Sequence, residues 1–151
     1  MKTLLIVYHT GGVKTATMAE AVERGARTEN GVNVIVKRCA DAGPDDVLAA
    51  DGLILGTPEN FGYMSGMMKD FLERVFYACE GKINGRPWAL FVGAGQDGSG
   101  AVSSVERIVA GLRLNKVHEP IIGLKDLSQE ILEECEQLGA ALAAGLALGV
   151  F

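Results

Sequence analysis

The sequence predicts an α/β protein built on a doubly wound, parallel sheet. Short apolar runs rich in β-branched residues alternate with small-residue loops and amphipathic segments along all 151 residues. This alternation is typical of βαβ units, in which a helix crosses over from one parallel strand to the next. The first run, Thr3 to Tyr8, lacks the in-out alternation of a half-exposed strand. It therefore predicts a strand in the middle of a sheet that is covered on both faces.

The amino-terminal part of the chain is predicted to form three strands and two helices. Met18, Val22 and Ala26 are spaced four residues apart, which places them on one helix face. Asn30 followed by glycine is a stop signal for that helix. Pro44 followed by two acidic residues is typical of the first turn of a helix and predicts a second, short helix. The predicted elements are strand Thr3 to Tyr8, helix Thr15 to Asn30, strand Val32 to Lys37, a helix from Pro44, and strand Leu53 to Gly56.

The rest of the chain is predicted to add three helices and two strands. One helix carries an apolar face from Met68 to Cys79, and another carries one from Val102 to Leu112. Ser128 can cap the last helix. The strands are Trp88 to Val92 and Val117 to Ile122, the second at an edge because it contains Pro120. With right-handed crossovers, five parallel strands are expected in the order 2-1-3-4-5, a flavodoxin-like three-layer sandwich.

Composition and charge narrow the classes of function. A content of 48% hydrophobic and 22% charged residues over this length predicts one globular domain, residues 1–151. The net charge of -5 comes without a basic stripe, so nucleic acid is not an expected partner. Three scattered cysteines show no metal-ligand spacing and fit reduced thiols, and no signal peptide is evident, so we expect a cytoplasmic protein.

The carboxyl-terminal run 138–151 carries no charge, yet it is shorter than the roughly 20 residues that a membrane span needs. It is predicted to be a packed helix rather than a membrane anchor. Exposed apolar residues at its end would favour a homo-oligomer contact.

Three loops of unusual composition are predicted to meet at the carboxyl edge of the sheet, where doubly wound folds bind ligands. The loop after the first strand contains Gly11 and Gly12 between Thr10 and Thr15. Glycines expose backbone N–H groups, and the following helix start favours an anion, so this loop fits a phosphate monoester. The same residues also fit a plain turn. The loop matches neither the Walker pattern nor G-x-G-x-x-G, so nucleotide hydrolysis and tight dinucleotide binding lose support.

The other two loops fit a planar ring. The loop after the third strand offers Phe61 and Met64 among polar groups, which could bound a flat heterocycle or simply be buried hydrophobes. The loop after the fourth strand, 93–100, is too rich in glycine to form a wall. It can instead supply backbone hydrogen bonds to a ring edge, with Gln96 and Asp97 nearby.

The span from Gly56 to Gly66 reads G-T-P-E-N-F-G-Y-M-S-G. It resembles the second flavin loop of the Trp-repressor-binding-protein type of NAD(P)H:quinone oxidoreductase, with its pattern G-T-P-x-x-F-G-x-M-S-G. A broader resemblance to the flavodoxin and FMN reductase superfamily covers nearly the whole chain. The resemblance implies that FMN is the cofactor.

It further implies that the first loop holds the FMN phosphate, the second lines the isoalloxazine, and the third contacts its pyrimidine side. The implied cofactor-binding residues are His9, Thr10, Gly11, Gly12, Val13, Lys14, Thr15, Pro58, Glu59, Asn60, Phe61, Gly62, Met64, Ala94, Gly95, Gln96, Asp97 and Gly98.

Two departures from the family are informative. The usual phosphate loop reads S/T-x-T-G-x-T, whereas this one keeps only Thr10 and Thr15. Flavodoxin electron carriers sandwich the ring with Trp and Tyr, whereas the third loop here has no aromatic residue. An open ring face suits direct access by a nicotinamide and a quinone.

The flavin would carry the chemistry, so no catalytic side chain or metal is predicted. His9 could approach the phosphate or the ring edge, or it could be incidental, and His118 is a weaker candidate. We expect an FMN oxidoreductase that takes hydride from NAD(P)H and reduces a quinone or similar acceptor. The alternative is a carrier that docks a redox protein. A receiver-like domain shares the strand order, but it requires clustered acids where this chain has Tyr8, His9 and Thr10.

Overall fold

A computed structural model describes all residues of the chain, Met1–Phe151, and contains one twisted sheet of seven strands. The strands are β1 (Lys2–Tyr8), β2 (Val32–Arg38), β3 (Gly52–Asn60), β4 (Tyr63–Met64), β5 (Pro87–Ala94), β6 (Asn115–Lys116) and β7 (Ile121–Leu124). Four of them lie in the order β2-β1-β3-β5, and β6 and β7 share the position beyond β5. All these pairs are parallel, which confirms the predicted doubly wound order.

Helices cover both faces of the sheet. They are α1 (Lys14–Ala26), α2 (Pro44–Ala49), α3 (Gly66–Cys79), α4 (Ser99–Gly111) and α5 (Gln129–Leu148), with a short 3₁₀ turn at Cys39–Asp41. Alternate side chains of the central strands point to opposite faces, so the sheet divides two apolar cores. Leu4, Ile6 and Ile54 pack with α1 and α5, while Leu5, Val7 and Leu55 pack with α2, α3 and α4. None of these helices has the length and apolarity needed to cross a bilayer.

Two strands differ from their predicted bounds by more than two residues at one end. The third strand continues past Gly56 to Asn60, because it stays paired with β5 as far as Pro58 and then turns into an antiparallel hairpin with β4. The predicted fifth strand, Val117 to Ile122, is wrong in its bounds. Pairing with β5 occurs in β6, which ends at Lys116 just before the predicted strand, and in β7, which begins only at Ile121. Pro120 between them has no N–H to donate to the ladder, so the chain leaves the sheet and re-enters it.

The first helix is shorter than predicted, since α1 ends at Ala26 and not at Asn30. The Thr28 hydroxyl donates a 2.7 Å hydrogen bond to the carbonyl of Gly25, which satisfies an acceptor that a longer helix would have used. The helix therefore ends early, and the chain turns before it enters β2 at Val32.

Helices α1 and α5 pack with their backbones in contact. A β-carbon on Gly139 would overlap the carbonyl oxygen of Val22, and one on Gly25 would overlap the carbonyl oxygen of Glu136. Only glycine at both positions permits this approach, and the Arg24 guanidinium then lies 2.9 Å from the Glu136 carboxylate across the crossing. The crossing fixes α1, and with it the loop that precedes α1 at the carboxyl edge.

Candidate functional site

The loop between β1 and α1 is folded back on the helix that follows it. The backbone N–H of His9 donates to the Gly56 carbonyl at 3.0 Å, which keeps this loop at the end of β3. The Thr10 hydroxyl donates to the carbonyl of Gly12 at 2.7 Å and accepts from the Ala16 N–H at 3.3 Å. Thr10 therefore fixes the conformation of the loop. Its hydroxyl accepts an N–H group of the first helical turn, whereas the side chain of the N-cap residue, Val13, forms no capping hydrogen bond.

The surface of this first loop is open and has no negative charge of its own. A β-carbon on Gly11 or Gly12 would meet no atom within 4 Å, and the first turn of α1 contains no acidic residue. The first N–H groups of a helix have no intrahelical acceptor, and the helix dipole adds positive potential there. An anion of phosphate size fits these conditions.

Lys14 connects the first loop to the third. Its ammonium donates a 2.9 Å hydrogen bond to the Ala94 carbonyl at the end of β5. Its aliphatic stem passes over Gly93, where a β-carbon would lie 3.2 Å from Lys14 Cδ and 2.7 Å from the Thr15 hydroxyl. Thr15 is buried at this junction. The chain thus brings together two loops that are some 80 residues apart in sequence.

The second loop is a tight hairpin that displays an aromatic ring. Phe61 and Gly62 form its turn with φ values of 55° and 68°, both in the left-handed region typical of a type I′ turn. A bulky residue at such a φ costs about 1 kcal/mol, and here its side chain is also fully exposed. Core packing therefore does not account for this conformation of Phe61.

Buried hydroxyls hold the base of this hairpin. The Thr57 hydroxyl accepts the Ser65 N–H at 3.0 Å, and the Ser65 hydroxyl accepts the Met68 N–H at 3.2 Å, which caps α3. The Met64 N–H donates to the Ser104 hydroxyl of α4 at 3.1 Å. The Met64 side chain is 2% exposed and belongs to the core. In contrast to its predicted place on the ring pocket, Met64 thus supports the hairpin from behind.

Glu59 was predicted beside the cofactor, but its carboxylate caps α4. One oxygen accepts the Gly98 N–H at 3.2 Å, and the other accepts the N–H groups of Gly100 and Ala101 at 3.0 and 3.1 Å. A β-carbon on Gly100 would overlap the Gly62 carbonyl, so the turn rests directly on the helix start. The negative charge is placed where the helix dipole favours it. Glu59 therefore fastens the second loop to the third.

Replacing Glu59 with alanine is expected to lower the free energy of unfolding by about 2 kcal/mol, because three N–H groups at the start of α4 lose a charged acceptor. Chemical denaturation of the E59A variant measures this loss. The Glu59→Gln variant keeps an acceptor oxygen and is expected to lose less. Equal stability of E59A and the unmodified protein would contradict the capping role.

The third loop, from Ala94 to Gly98, is short of side chains that could cover a ligand. Gly95, Gln96 and Asp97 are exposed, and a β-carbon on Gly95 would meet nothing within 4 Å. The Asp97 carboxylate accepts the Ser99 N–H and hydroxyl, which lowers its pKa. Gly98 needs its φ of 78°, and Ile122 leaves no room there for a side chain. The loop thus presents mostly backbone.

Most of the predicted residues do lie at this edge. Those with exposed or half-buried side chains or backbone are His9, Thr10, Gly11, Gly12, Val13, Lys14, Pro58, Glu59, Asn60, Phe61, Gly62, Gly95, Gln96 and Asp97. Thr15, Met64, Ala94 and Gly98 are buried.

The sequence interpretation missed Lys125 at this edge. Its backbone N–H donates to the Ala94 carbonyl at 3.1 Å, the same oxygen that Lys14 uses, and its φ is 52°. The side chain is exposed and forms no ion pair. Ending the fifth strand at Ile122 hid the fact that Lys125 follows a strand end, which is the signal that would have placed it here.

The surroundings of His9 disfavour its protonated form. Burial, and then the charge of Arg38, lower the pKa of His9 below its ordinary value of 6.5. Arg38 itself lies over the Tyr8 ring, 4.9 Å from its centre, and its Nε donates to the Tyr8 hydroxyl. The imidazole therefore adds no positive charge to the first loop at neutral pH.

This lowered pKa predicts a loss of stability in acid. The unfolded chain binds a proton at His9 more tightly than the folded one, so stability is full above pH 6.5 and falls as the pH drops from there to the folded pKa. Denaturation midpoints above and below pH 6.5 measure the effect. The His9→Asn variant should lose part of the acid sensitivity, whereas His118→Asn should keep it. An unchanged pH profile in H9N would contradict the prediction.

The three cysteines take no part in this site. All are buried free thiols, and burial raises the pKa of Cys39 and of Cys135 to about 12. A thiol with such a pKa is protonated at neutral pH and is a poor nucleophile.

Taken together, the edge fits FMN part by part. The first loop offers an open surface with helix N–H groups and the Lys14 ammonium, which suits a phosphate. The hairpin at the end of the neighbouring strand β3 presents Phe61, which suits a flat ring, and the third loop presents backbone groups, which suit the polar edge of that ring.

Comparisons with known proteins agree with this fit. Residues 40–124, which contain the second and third loops, match the family model described as NADPH-dependent FMN reductase. The chain is 31% identical to a flavodoxin of Aquifex aeolicus, over 99% of this chain and 90% of that one. It is 34% identical to an NAD(P)H dehydrogenase (quinone) of Acidithiobacillus ferrooxidans, over 61% of this chain and 56% of that protein.

Its fold is similar to that of a flavodoxin, WrbA-like protein from Agrobacterium tumefaciens, with a TM-score of 0.80, 21% identity and 99% of both chains covered. The flavodoxin-like fold, the superfamily and the FMN cofactor are therefore confirmed. The chain belongs to the NADPH-dependent FMN reductase family, within the flavodoxin-like superfamily, and is an FMN-binding redox flavoprotein of the NAD(P)H-dependent oxidoreductases.

Proposed function

We propose that the chain transfers two electrons from NAD(P)H to a quinone, with FMN held by the three loops at the carboxyl edge. In the overall reaction, NAD(P)H and a proton reduce the quinone to the hydroquinone. FMN supplies the hydride-accepting chemistry when it is bound. In this proposal the first loop binds the phosphate, the hairpin carrying Phe61 flanks the ring, and residues 94–98 bind the polar ring edge.

The observation that carries this proposal is the lack of a cover over the third loop. Gly95, Gln96 and Asp97 are exposed, and none of them is an aromatic that could stack on a ring and exclude a substrate. Phe61 is the one fully exposed large hydrophobic side chain at this edge. A ring placed between these loops keeps one face free for a nicotinamide and then for a quinone.

The charges at this edge support an anionic substrate. The carboxylates of Glu59 and Asp97 are occupied by backbone N–H groups, whereas Lys125 forms no ion pair. Arg107 is also free of ion pairs and lines a cavity of about 360 Å³ beside the hairpin, together with Tyr63 and Ser103. These cations attract the phosphates of a dinucleotide, although the whole chain carries a net charge of -5.

A second candidate acceptor is a redox protein. The similarity to a flavodoxin over 99% of this chain favours it, since flavodoxins are electron carriers. The two acceptors call for different surfaces: a quinone needs the open ring face, and a protein needs a docking patch around it.

Steady-state oxidation of NAD(P)H by the purified holoprotein, with benzoquinone as acceptor, tests the proposal. Turnover that saturates with both substrates is expected. NAD(P)H oxidation that does not depend on benzoquinone, or no oxidation by a fully FMN-loaded protein, would reject the quinone and leave the protein acceptor.

The carboxyl-terminal tail supports the further proposal of a homo-oligomer. Leu148 and Val150 are 77% and 68% exposed, whereas the Phe151 ring packs over Gly145. Sedimentation of the chain and of a Leu148→Ser variant would reveal this contact as a lower mass of the variant, and a monomeric unmodified chain at high concentration would reject it.

The three free thiols support a cytoplasmic location.

A further inference from the structure

Lys14 is the feature of the first loop that the family pattern does not explain. With Thr10 and Thr15 at the first and last hydroxyl positions of S/T-x-T-G-x-T, the middle hydroxyl is replaced by Gly12. The remaining Thr10 hydroxyl is already engaged with the Gly12 carbonyl and the Ala16 N–H. The loop therefore offers a phosphate fewer free hydroxyls than its relatives do.

The Lys14 ammonium is not neutralised by any carboxylate. Seven ion pairs form in the structure, and Lys14 belongs to none of them. Its one hydrogen bond goes to the uncharged carbonyl of Ala94, at 2.9 Å. A phosphate carries full negative charge, so Coulombic attraction to the ammonium adds to the hydrogen bond and makes a phosphate a better acceptor than the carbonyl.

The surroundings of Lys14 hold the charge at the site. Gly93 leaves room for its stem, because a β-carbon there would lie only 3.2 Å from Lys14 Cδ and 2.7 Å from the Thr15 hydroxyl. The ammonium is thereby kept at the junction of the first and third loops instead of in solvent. Burial and the charge of Arg38 lower the pKa of His9, so Lys14 is the main cation that the first loop contributes at neutral pH.

We propose that Lys14 is a specificity-determining residue that binds the phosphate of FMN in place of the missing hydroxyl, and so makes the site select FMN over riboflavin. This inference rests on the proposed placement of the FMN phosphate in the first loop. A phosphate monoester carries about -1.5 to -2 charges at neutral pH, and riboflavin carries none on its ribityl chain. The ratio of the Kd values for riboflavin and FMN therefore reports the attraction between Lys14 and the phosphate.

The test compares flavin binding by the unmodified chain, Lys14→Met and Lys14→Arg, each full length and stripped of flavin. Fluorescence titration with FMN should show a 10- to 100-fold rise of Kd, by order of magnitude, in K14M, with the Kd for riboflavin changed by less than about threefold. K14R should retain the preference for FMN. Added salt should narrow the difference between K14M and the unmodified chain, because it screens the charge.

An equal loss of both flavins in K14M would overturn the inference and leave Lys14 as a clamp between loops. So would an unchanged Kd for FMN. If the unmodified chain itself binds riboflavin as tightly as FMN, the phosphate does not occupy this loop. A negative quinone assay with an intact, Lys14-dependent preference for FMN would reject the proposed acceptor alone.

Discussion

Replacing Gly12 by aspartate is expected to abolish FMN retention. The new carboxylate would stand at the surface of the first loop, where like charges about 4 Å apart repel by about 4 kcal/mol in a partly solvated site, or roughly a thousandfold in Kd. The change does not strain the fold, because a β-carbon at Gly12 meets nothing within 4 Å and the backbone is not in the left-handed region. Absorbance of the purified protein and titration with FMN measure the outcome.

Two variants at the same position separate charge from shape. Gly12→Asn has nearly the shape of aspartate without its charge and should retain FMN. Gly12→Thr restores the hydroxyl of the family pattern and should bind FMN at least as tightly as the unmodified chain. Retention of FMN by G12D at normal affinity would show that the phosphate lies elsewhere.

Replacing Gly139 by alanine is expected to lower the free energy of unfolding by about 3 kcal/mol, a fall in Tm of roughly 10 °C. The added methyl overlaps the Val22 carbonyl, and a backbone atom cannot rotate away as a side chain can. Helices α1 and α5 must then separate, which exposes part of the core that they share with β1. Thermal and chemical denaturation measure the loss.

Gly66→Ala is the matched control, since Gly66 is also a helical glycine but a β-carbon there meets nothing within 4 Å. Its stability should be unchanged or slightly higher, because alanine is the better helix former. Because α1 carries the first loop at its start, G139A should also weaken FMN binding. A G139A variant as stable as G66A would show that the helices have room to shift.

The sheet order and the meeting of three loops were predictable because both follow from local signals. Unalternating apolar runs mark buried parallel strands, and the carboxyl ends of such strands share one edge. The hairpin was not predictable in this way, because Phe61 at a positive φ contradicts the preference of aromatic residues. Only the pairing of β3 with β4, and the support from α4 beneath, impose that conformation.

The roles of charged residues were the least predictable part of the site. Glu59 lies within the loop motif, and nothing in the sequence reveals that its oxygens reach N–H groups some 40 residues later. Likewise, the bond from Lys14 to Ala94 joins loops whose proximity depends on the completed fold. Side-chain partners across long sequence separations follow from the tertiary structure and not from local patterns.

The interrupted outer position of the sheet has a consequence for solubility at high concentration. A long, straight border strand presents a free row of backbone donors and acceptors that another molecule can extend into a fibre. Here β6 and β7 contain only two and four residues, and Pro120 between them removes a donor. At the opposite border, β2 ends in Lys37 and Arg38. Both borders are thereby protected against intermolecular strand addition, which disfavours fibre formation by the chain without its cofactor.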